Sequence, residues 1–177
     1  MADYTKFLTP SLFTAIDRTS KFAHAQLHIK ATRATVKYFL ECLISALPYK
    51  IHTILTDNGI QFTNRKQDDL ALMTPFDRVC CEHGIEHRLT KVKHPWTNGQ
   101  VERMNRTIKE ATVGRYHYGS HDELKKHLHA FLMAYNLASR LKTLKGKSPY
   151  DFIRAMWTSE PERFIIDPNH FTMGLNI

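Results

Sequence analysis

Apolar positions along the chain change their period repeatedly, and each change marks an element. Leu12 to Ile16 form an apolar run that ends at Asp17-Arg18-Thr19-Ser20-Lys21, where the Asp and Ser favour a turn. From Phe22 to Ile29 the pattern alternates, with Ala23, Ala25, Leu27 and Ile29 on one side and His24, Gln26 and His28 on the other. Together these predict a β-hairpin. Val36, Phe39, Leu40, Leu43, Ile44 and Leu47 then fall at helical spacing, and Pro48 closes that helix. A short β-branched run from Ile51 to Thr56 predicts a strand that stops at the turn Asp57-Asn58-Gly59.

Beyond it, Asn64 to Pro75 shows no clean period and reads as an irregular excursion. A short helix follows, with Phe76, Val79 and Cys80 inward and Gly84 as its stop. Ile85 to Leu89 predicts another strand. A helix from about Gln100 to Arg115 buries a stripe of Val101, Met104, Ile108 and Ala111. Ser120 and Glu123 have the spacing of a capping box for a helix striped by Leu124, Leu128, Phe131, Leu132 and Tyr135. Pro149 suits the first turn of a last helix through Trp157. Strands first, then helix and strand in alternation, then helices: this order predicts an α/β domain, a mixed β-sheet flanked by helices. Residues 1–157 form the core on this reading, and 158–177 a tail without period that covers it.

Composition narrows the class. A chain of 177 residues with 42% apolar and 11% aromatic residues can bury a real core. Its net charge of +8 suits an anionic polymer as partner, although a solvated surface would carry the same excess. No apolar run approaches the ~18 residues of a membrane span, and the N-terminus lacks the profile of a signal peptide, so a soluble, unsecreted protein is expected. Cys42, Cys80 and Cys81 make no disulfide framework. The run Cys80-Cys81-Glu82-His83 with His87 lacks a second spaced ligand pair for zinc, so Cys80 is expected on a packed helix face and the histidines at the surface.

Two acids occupy positions where α/β domains do chemistry. Asp57 stands at a strand's carboxyl end and Glu102 in the first turn of a helix. Each has an ordinary reading, Asp57 as a turn cap and Glu102 as a carboxylate favoured by the helix dipole. The neighbourhood of Glu102 goes further. At a hundred degrees per residue, Asn105, Arg106 and Lys109 share its flank, and Arg103 adds a further cation. An exposed i,i+4 ion pair is worth only a few tenths of a kcal/mol. A metal-binding carboxylate flanked by phosphate clamps accounts for so many cations better. Lys91, Lys93 and His94 extend the positive rim, and Trp96 offers a face for stacking a base.

The runs ILTDNGIQF, EHGIEHRLT, HPWTNGQVERMNRTIKE, YN and KSPYDF, in that order, resemble the catalytic core of the retroviral-integrase-type transposases of bacterial insertion sequences. The resemblance spans nearly the whole chain. It implies a ribonuclease H-like fold and an Asp–Asp–Glu triad for two Mg²⁺ or Mn²⁺ ions, with Asp57 as second acid and Glu102 as third. Arg106 and Lys109 match positions that face DNA, and Asn105 and Lys93 join them as DNA-binding candidates. The implied activity is metal-dependent strand nicking and transfer of a DNA 3′-hydroxyl, on element ends and target DNA, in a homo-oligomer in the bacterial cytoplasm at the nucleoid. The interval from Asp57 to Glu102 exceeds that of the retroviral members, and the excursion from Lys66 to Pro75 absorbs it.

The family's first Asp precedes a small residue on the first strand, a position that Ala2 would match, so the first ligand is expected just before Met1. Asp3 would fall on the opposite face by strand alternation. Asp17 is expected to support the site or cap the turn. Relatives also carry a helix-turn-helix region ahead of the core. The expectation is therefore an N-terminally truncated core, its activity impaired. The alternative is a catalytically dead remnant that binds DNA or pairs with full-length transposase; a ribonuclease H-like nuclease that cleaves without joining is a third reading.

Overall fold

The computed structural model describes residues 10–63, 73–90 and 98–170. The predicted hairpin forms: β1 (Ser11–Ile16) pairs antiparallel with β2 (Ala23–His28), Leu12 opposite Leu27 and Ile16 opposite Ala23. Helix α1 (Arg33–Ser45) follows, its first turn closed by a reciprocal Thr32–Thr35 cap. Strand β3 (Thr53–Thr56) lies parallel to β4 (Glu86–Leu89), and the connection between them contains α2 (Pro75–Glu82). Three helices complete the order: α3 (Gly99–Ala111), α4 (His121–Leu137) and α5 (Pro149–Ser159). Antiparallel and parallel pairings coexist among the described residues, as a mixed α/β architecture requires. No helix among them is long and apolar enough to cross a membrane.

The hairpin is buried on both faces. On one face Leu12, Ile16, Ala23, Ala25 and Leu27 pack against Met104 and Ile108 of α3 and Leu128 and Leu132 of α4. On the other, Phe13 and His24 meet Phe39 of α1 at ring separations of 5.7 and 5.3 Å. The alternation read from the sequence is therefore real, but its polar side is no solvent side: His24 and Gln26 are both buried. A second cluster joins α1 to α2 and α5 through Val36, Leu40, Phe76, Val79 and Ile153. Each fully buried aliphatic side chain of this kind contributes roughly 1.5–3 kcal/mol.

Two boundaries, one capping contact and the placement of one histidine depart from the sequence reading. Pro75 opens α2, because Thr74 caps that helix by accepting from the Asp77 N–H and Pro suits the first helical position. Helix α3 ends at Ala111, before Arg115: the Thr112 hydroxyl turns back to the Ile108 carbonyl and the Gly114 N–H takes that of Lys109. Ser120 caps α4 as expected, but the Glu123 carboxylate accepts from the Gly119 N–H, one residue before the cap. His87 is not at the surface, its side chain being only 9% exposed. The stop at Gly84 holds, with φ at +63°, a left-handed conformation that glycine adopts without strain.

After α5, the Ile165 N–H donates to the Pro48 carbonyl, and Phe164 packs edge-on against Tyr49 and Trp157. The Tyr150 hydroxyl donates to the Pro168 carbonyl.

Candidate active site

Asp57 is the first residue past β3. Its exposed carboxylate takes one hydrogen bond from within its own turn, the Gly59 N–H donating to Oδ1 at 2.9 Å. The segment that carries it is stitched to the end of β4, since the Thr90 N–H donates to the Thr56 carbonyl at 2.8 Å and Asn58 Nδ2 to the Thr90 carbonyl at 2.9 Å. A parallel pair brings two strand ends to the same edge, and here those ends are bonded to one another. Asp57 thus stands on a fixed strand end with Oδ2 unengaged among the described residues.

Glu102 lies in the first turn of α3, exposed, where the positive end of the helix dipole favours an acid. The start of this helix is held beside the β1–β2 turn, where Lys21 Nζ donates to Gln100 Oε1 at 3.3 Å. Lys21 itself adopts φ of +62°, uncommon outside glycine, and its amine also reaches the Arg18 carbonyl. Arg103, Arg106 and Lys109 are exposed on α3, and no ion pair joins them to Glu102 among the described residues. The alternative of a plain i,i+4 salt bridge is therefore not formed. Asn105 is half-buried, and its Oδ1 is shut from solvent without a hydrogen-bond partner among the described residues. Lys93, with Lys91, His94 and Trp96, lies outside the described residues, as do Ala2 and Asp3.

No hydrogen bond or ion pair joins Asp57 to Glu102, and among the described residues no three of His, Cys, Asp and Glu gather to hold a metal ion. The donor chemistry nevertheless fits Mg²⁺ or Mn²⁺: two carboxylates offer hard oxygens, and Mg²⁺ binds through one or two carboxylates while keeping waters or taking substrate phosphates.

Two arrangements escaped the sequence reading. Asp77, His87 and Thr56 form a continuous chain, His87 Nδ1 lying 2.6 Å from Asp77 Oδ1 and Nε2 lying 2.7 Å from Thr56 Oγ1. Burial works to raise the Asp77 carboxyl, but the hydrogen bonds from Thr74 and His87 outweigh it and hold the group below the usual carboxylate range. The strand period held the signal, since Ile85 is inward and His87 is two residues on. Asn136 is the other. Buried, it accepts from the Ala23 N–H at 2.9 Å and donates to the Ala23 carbonyl at 2.8 Å, completing the backbone bonding at the start of β2.

An integrase core domain model matches residues 2–95, more than half the chain, and a second one matches residues 83–149. The chain belongs to the integrase core domain family. This integrase core is similar over 85% of its length to the catalytic core domain of BIV integrase, with a TM-score of 0.62, 21% identity and 90% of that chain covered. It is equally similar to the HTLV-2 integrase catalytic core domain in a trimeric complex with magnesium, with a TM-score of 0.63, 21% identity, and 85% and 88% of the two chains covered. Its fold is the ribonuclease H-like one, as the sequence implied. An uncharacterized protein of Caenorhabditis elegans is 30% identical over 138 residues, which are 78% of this chain and 10% of that protein. The integrase core thus spans a tenth of that relative and less than a third of each curated relative it matches.

Proposed function

We propose that this integrase core nicks and joins DNA by divalent-metal-dependent phosphoryl transfer, with Asp57 and Glu102 as metal-holding carboxylates. One observation carries the reading. Asp57, exposed on a strand end bonded to its neighbour, keeps an oxygen unengaged, while the cationic helix α3 presents Glu102, Arg106 and Lys109 without internal ion pairing among the described residues. An arrangement built only for stability would neutralise these groups against one another.

On this reading Asp57 Oδ2 and the Glu102 carboxylate hold Mg²⁺ or Mn²⁺. Bound there, such ions supply charge stabilisation to the attacking and leaving oxygens of an in-line displacement at phosphorus. The Gly59 N–H holds Asp57 Oδ1 and so aims the other oxygen outward. Arg106 and Lys109 clamp backbone phosphates, which positions the strand without reading its sequence. The nucleophile is water for nicking or a DNA 3′-hydroxyl for joining, so no protein nucleophile is required. The substrate is DNA, and assembly of several copies follows the trimeric HTLV-2 relative.

The test is joining of a labelled 3′-hydroxyl DNA end to a second duplex by the purified chain in Mg²⁺. Joining that is lost in both Asp57→Asn and Glu102→Gln supports the proposal. Cleavage without joining would turn it to a nuclease. DNA binding without turnover in any metal would leave a DNA-binding remnant. In either binding case, Arg106→Ala and Lys109→Ala should each lower the slope of log affinity against log salt by roughly one.

A further inference from the structure

The chain Asp77–His87–Thr56 ends one residue before Asp57. At its far end, Asp77 is held on both oxygens: Thr74 Oγ1 donates to Oδ2 at 2.6 Å, and His87 Nδ1 lies 2.6 Å from Oδ1. Thr74 is itself buried, so this anchor is a fixed point in α2. A carboxylate accepts, which fixes His87 Nδ1 as the protonated nitrogen and sets the ring's orientation. The ring lies against Phe76 at a centroid separation of 4.9 Å, and Phe76 packs edge-on against Phe62. His87 therefore has a single attitude, with Nε2 aimed at Thr56.

Thr56 is where the chain meets the strand end. Its hydroxyl lies 2.7 Å from His87 Nε2 and 3.2 Å from the Asp57 carbonyl oxygen. It donates to that carbonyl and stands within hydrogen-bond distance of the imidazole nitrogen, so it bridges the ring and the Asp57 backbone. A threonine needed only as a β-former would not require a half-buried histidine, itself anchored by an aspartate held on both oxygens, to set its rotamer. Outer partners that orient a ligand-bearing group in this manner alter metal affinity although they touch no metal.

We propose that Asp77, His87 and Thr56 are positioning residues that set the aim of the Asp57 carboxylate, and that metal affinity at Asp57 depends on them. This rests on the reading of Asp57 as a metal-holding acid; the orienting part of it can be read without metal. The Gly59 N–H, bonded to Asp57 Oδ1, reports that aim directly.

The experiment uses the full chain, ¹⁵N-labelled, with the Gly59 amide resonance followed in the absence of metal and Mn²⁺ binding followed by its electron paramagnetic resonance signal. Thr56→Val removes the hydroxyl while keeping the shape, and Thr56→Ser restores it. His87→Asn keeps a polar atom toward Asp77 but loses the reach to Thr56. Thr56→Val and His87→Asn should move the Gly59 resonance and weaken Mn²⁺ binding roughly tenfold to a hundredfold. Thr56→Ser should return both readouts to those of the parent, which a merely structural loss at this position would not do. If Gly59 stays in place in Thr56→Val and His87→Asn, the positioning role is overturned whatever the metal does. The same holds if Thr56→Ser fails to rescue. Should Gly59 move as expected while Asp57→Asn binds Mn²⁺ like the parent, the orienting chain stands and the metal-holding reading of Asp57 falls, taking the affinity part of the inference with it.

Discussion

Two aspartates in this domain each terminate a strand, Asp17 after β1 and Asp57 after β3, and the fold treats them in opposite ways. Asp17 is surrounded by donors: the Thr19 N–H on Oδ1, and the Ser20 N–H, Ser20 hydroxyl and Tyr49 hydroxyl on Oδ2. Asp57 has the Gly59 N–H on one oxygen and, among the described residues, nothing on the other. The first carboxylate is consumed in closing the hairpin and tying it to the segment before β3. The second is left with capacity to spare on a strand end that is otherwise firmly bonded. Composition and local motif do not separate these residues, because both sit in ordinary turn contexts. The donor that reaches Asp17 from elsewhere in the fold, the Tyr49 hydroxyl, does.

The largest contrast should appear when each is altered and both stability and activity are read. Asp57→Asn should leave thermal stability within about 0.5 kcal/mol of the parent, as expected of an exposed residue with one local bond. In a strand-joining assay it should lose more than about a hundredfold, since even partners beyond the metal ligands cost 10–100-fold when removed. Asp17→Ala should do the reverse and cost about 2 kcal/mol in a urea melt, through four donors deprived of their acceptor, with joining retained at temperatures where the variant is folded. A melting defect in Asp57→Asn of the size seen in Asp17→Ala would erase the distinction.

His24 sharpens it from a third direction, as a polar group that is buried and yet has an Nε2 without a partner among the described residues. Burial lowers its pKa from 6.5 to about 4. The sign follows from linkage: the native imidazole stays neutral in a range where the unfolded one binds a proton, so the unfolded state gains as pH falls. The stability of neutral His24 is thus complete above about pH 6.5 and is lost progressively down to about pH 4. The interval corresponds to a loss of about 3 kcal/mol. Urea midpoints measured across that range should show this slope, and His24→Leu, which suits the contact with Phe39, should flatten it. An unchanged slope in the variant would mean that other groups carry the acid sensitivity.

What could be read from the sequence was whatever has a period. The hairpin, the α1 and α4 stripes and the inward face of α2 follow from side-chain spacing, which the backbone geometry enforces locally. Asp57 at a strand end and Glu102 in a first helical turn were legible for the same reason. Burial of polar residues was not. His24 and Gln26 alternate with apolar neighbours as a solvent face would, and only the arrival of α1 over them makes the strand internal. His87 looked like a surface histidine because its partners, Asp77 and Thr56, come from two other elements. Asn136 was legible in principle, since it continues the series Leu124, Leu128, Leu132 at i+4, a place where an amide is buried only if it is fully bonded.

Tyr49 supplies the finest cut between the two aspartates. Its hydroxyl donates to Asp17 Oδ2 at 2.8 Å from a half-buried ring, and desolvation of the hydroxyl, with the charge of Asp17 second, pushes it well above the usual tyrosine range. It therefore remains a donor throughout the range in which the protein would be assayed. Tyr49→Phe keeps the edge-on contact with Phe164 and removes only the oxygen. Because Asp17 Oδ2 retains Ser20 as a donor, the carboxylate is not stranded, and the loss should be about 1 kcal/mol, the net worth of a single hydrogen bond. In the doubly altered chain carrying Asp17→Ala as well, the Tyr49 change should cost almost nothing, because its acceptor is already gone. Additive losses in that cycle would show that the Tyr49 hydroxyl acts independently of Asp17, and that Asp17 is less completely consumed than its donors suggest.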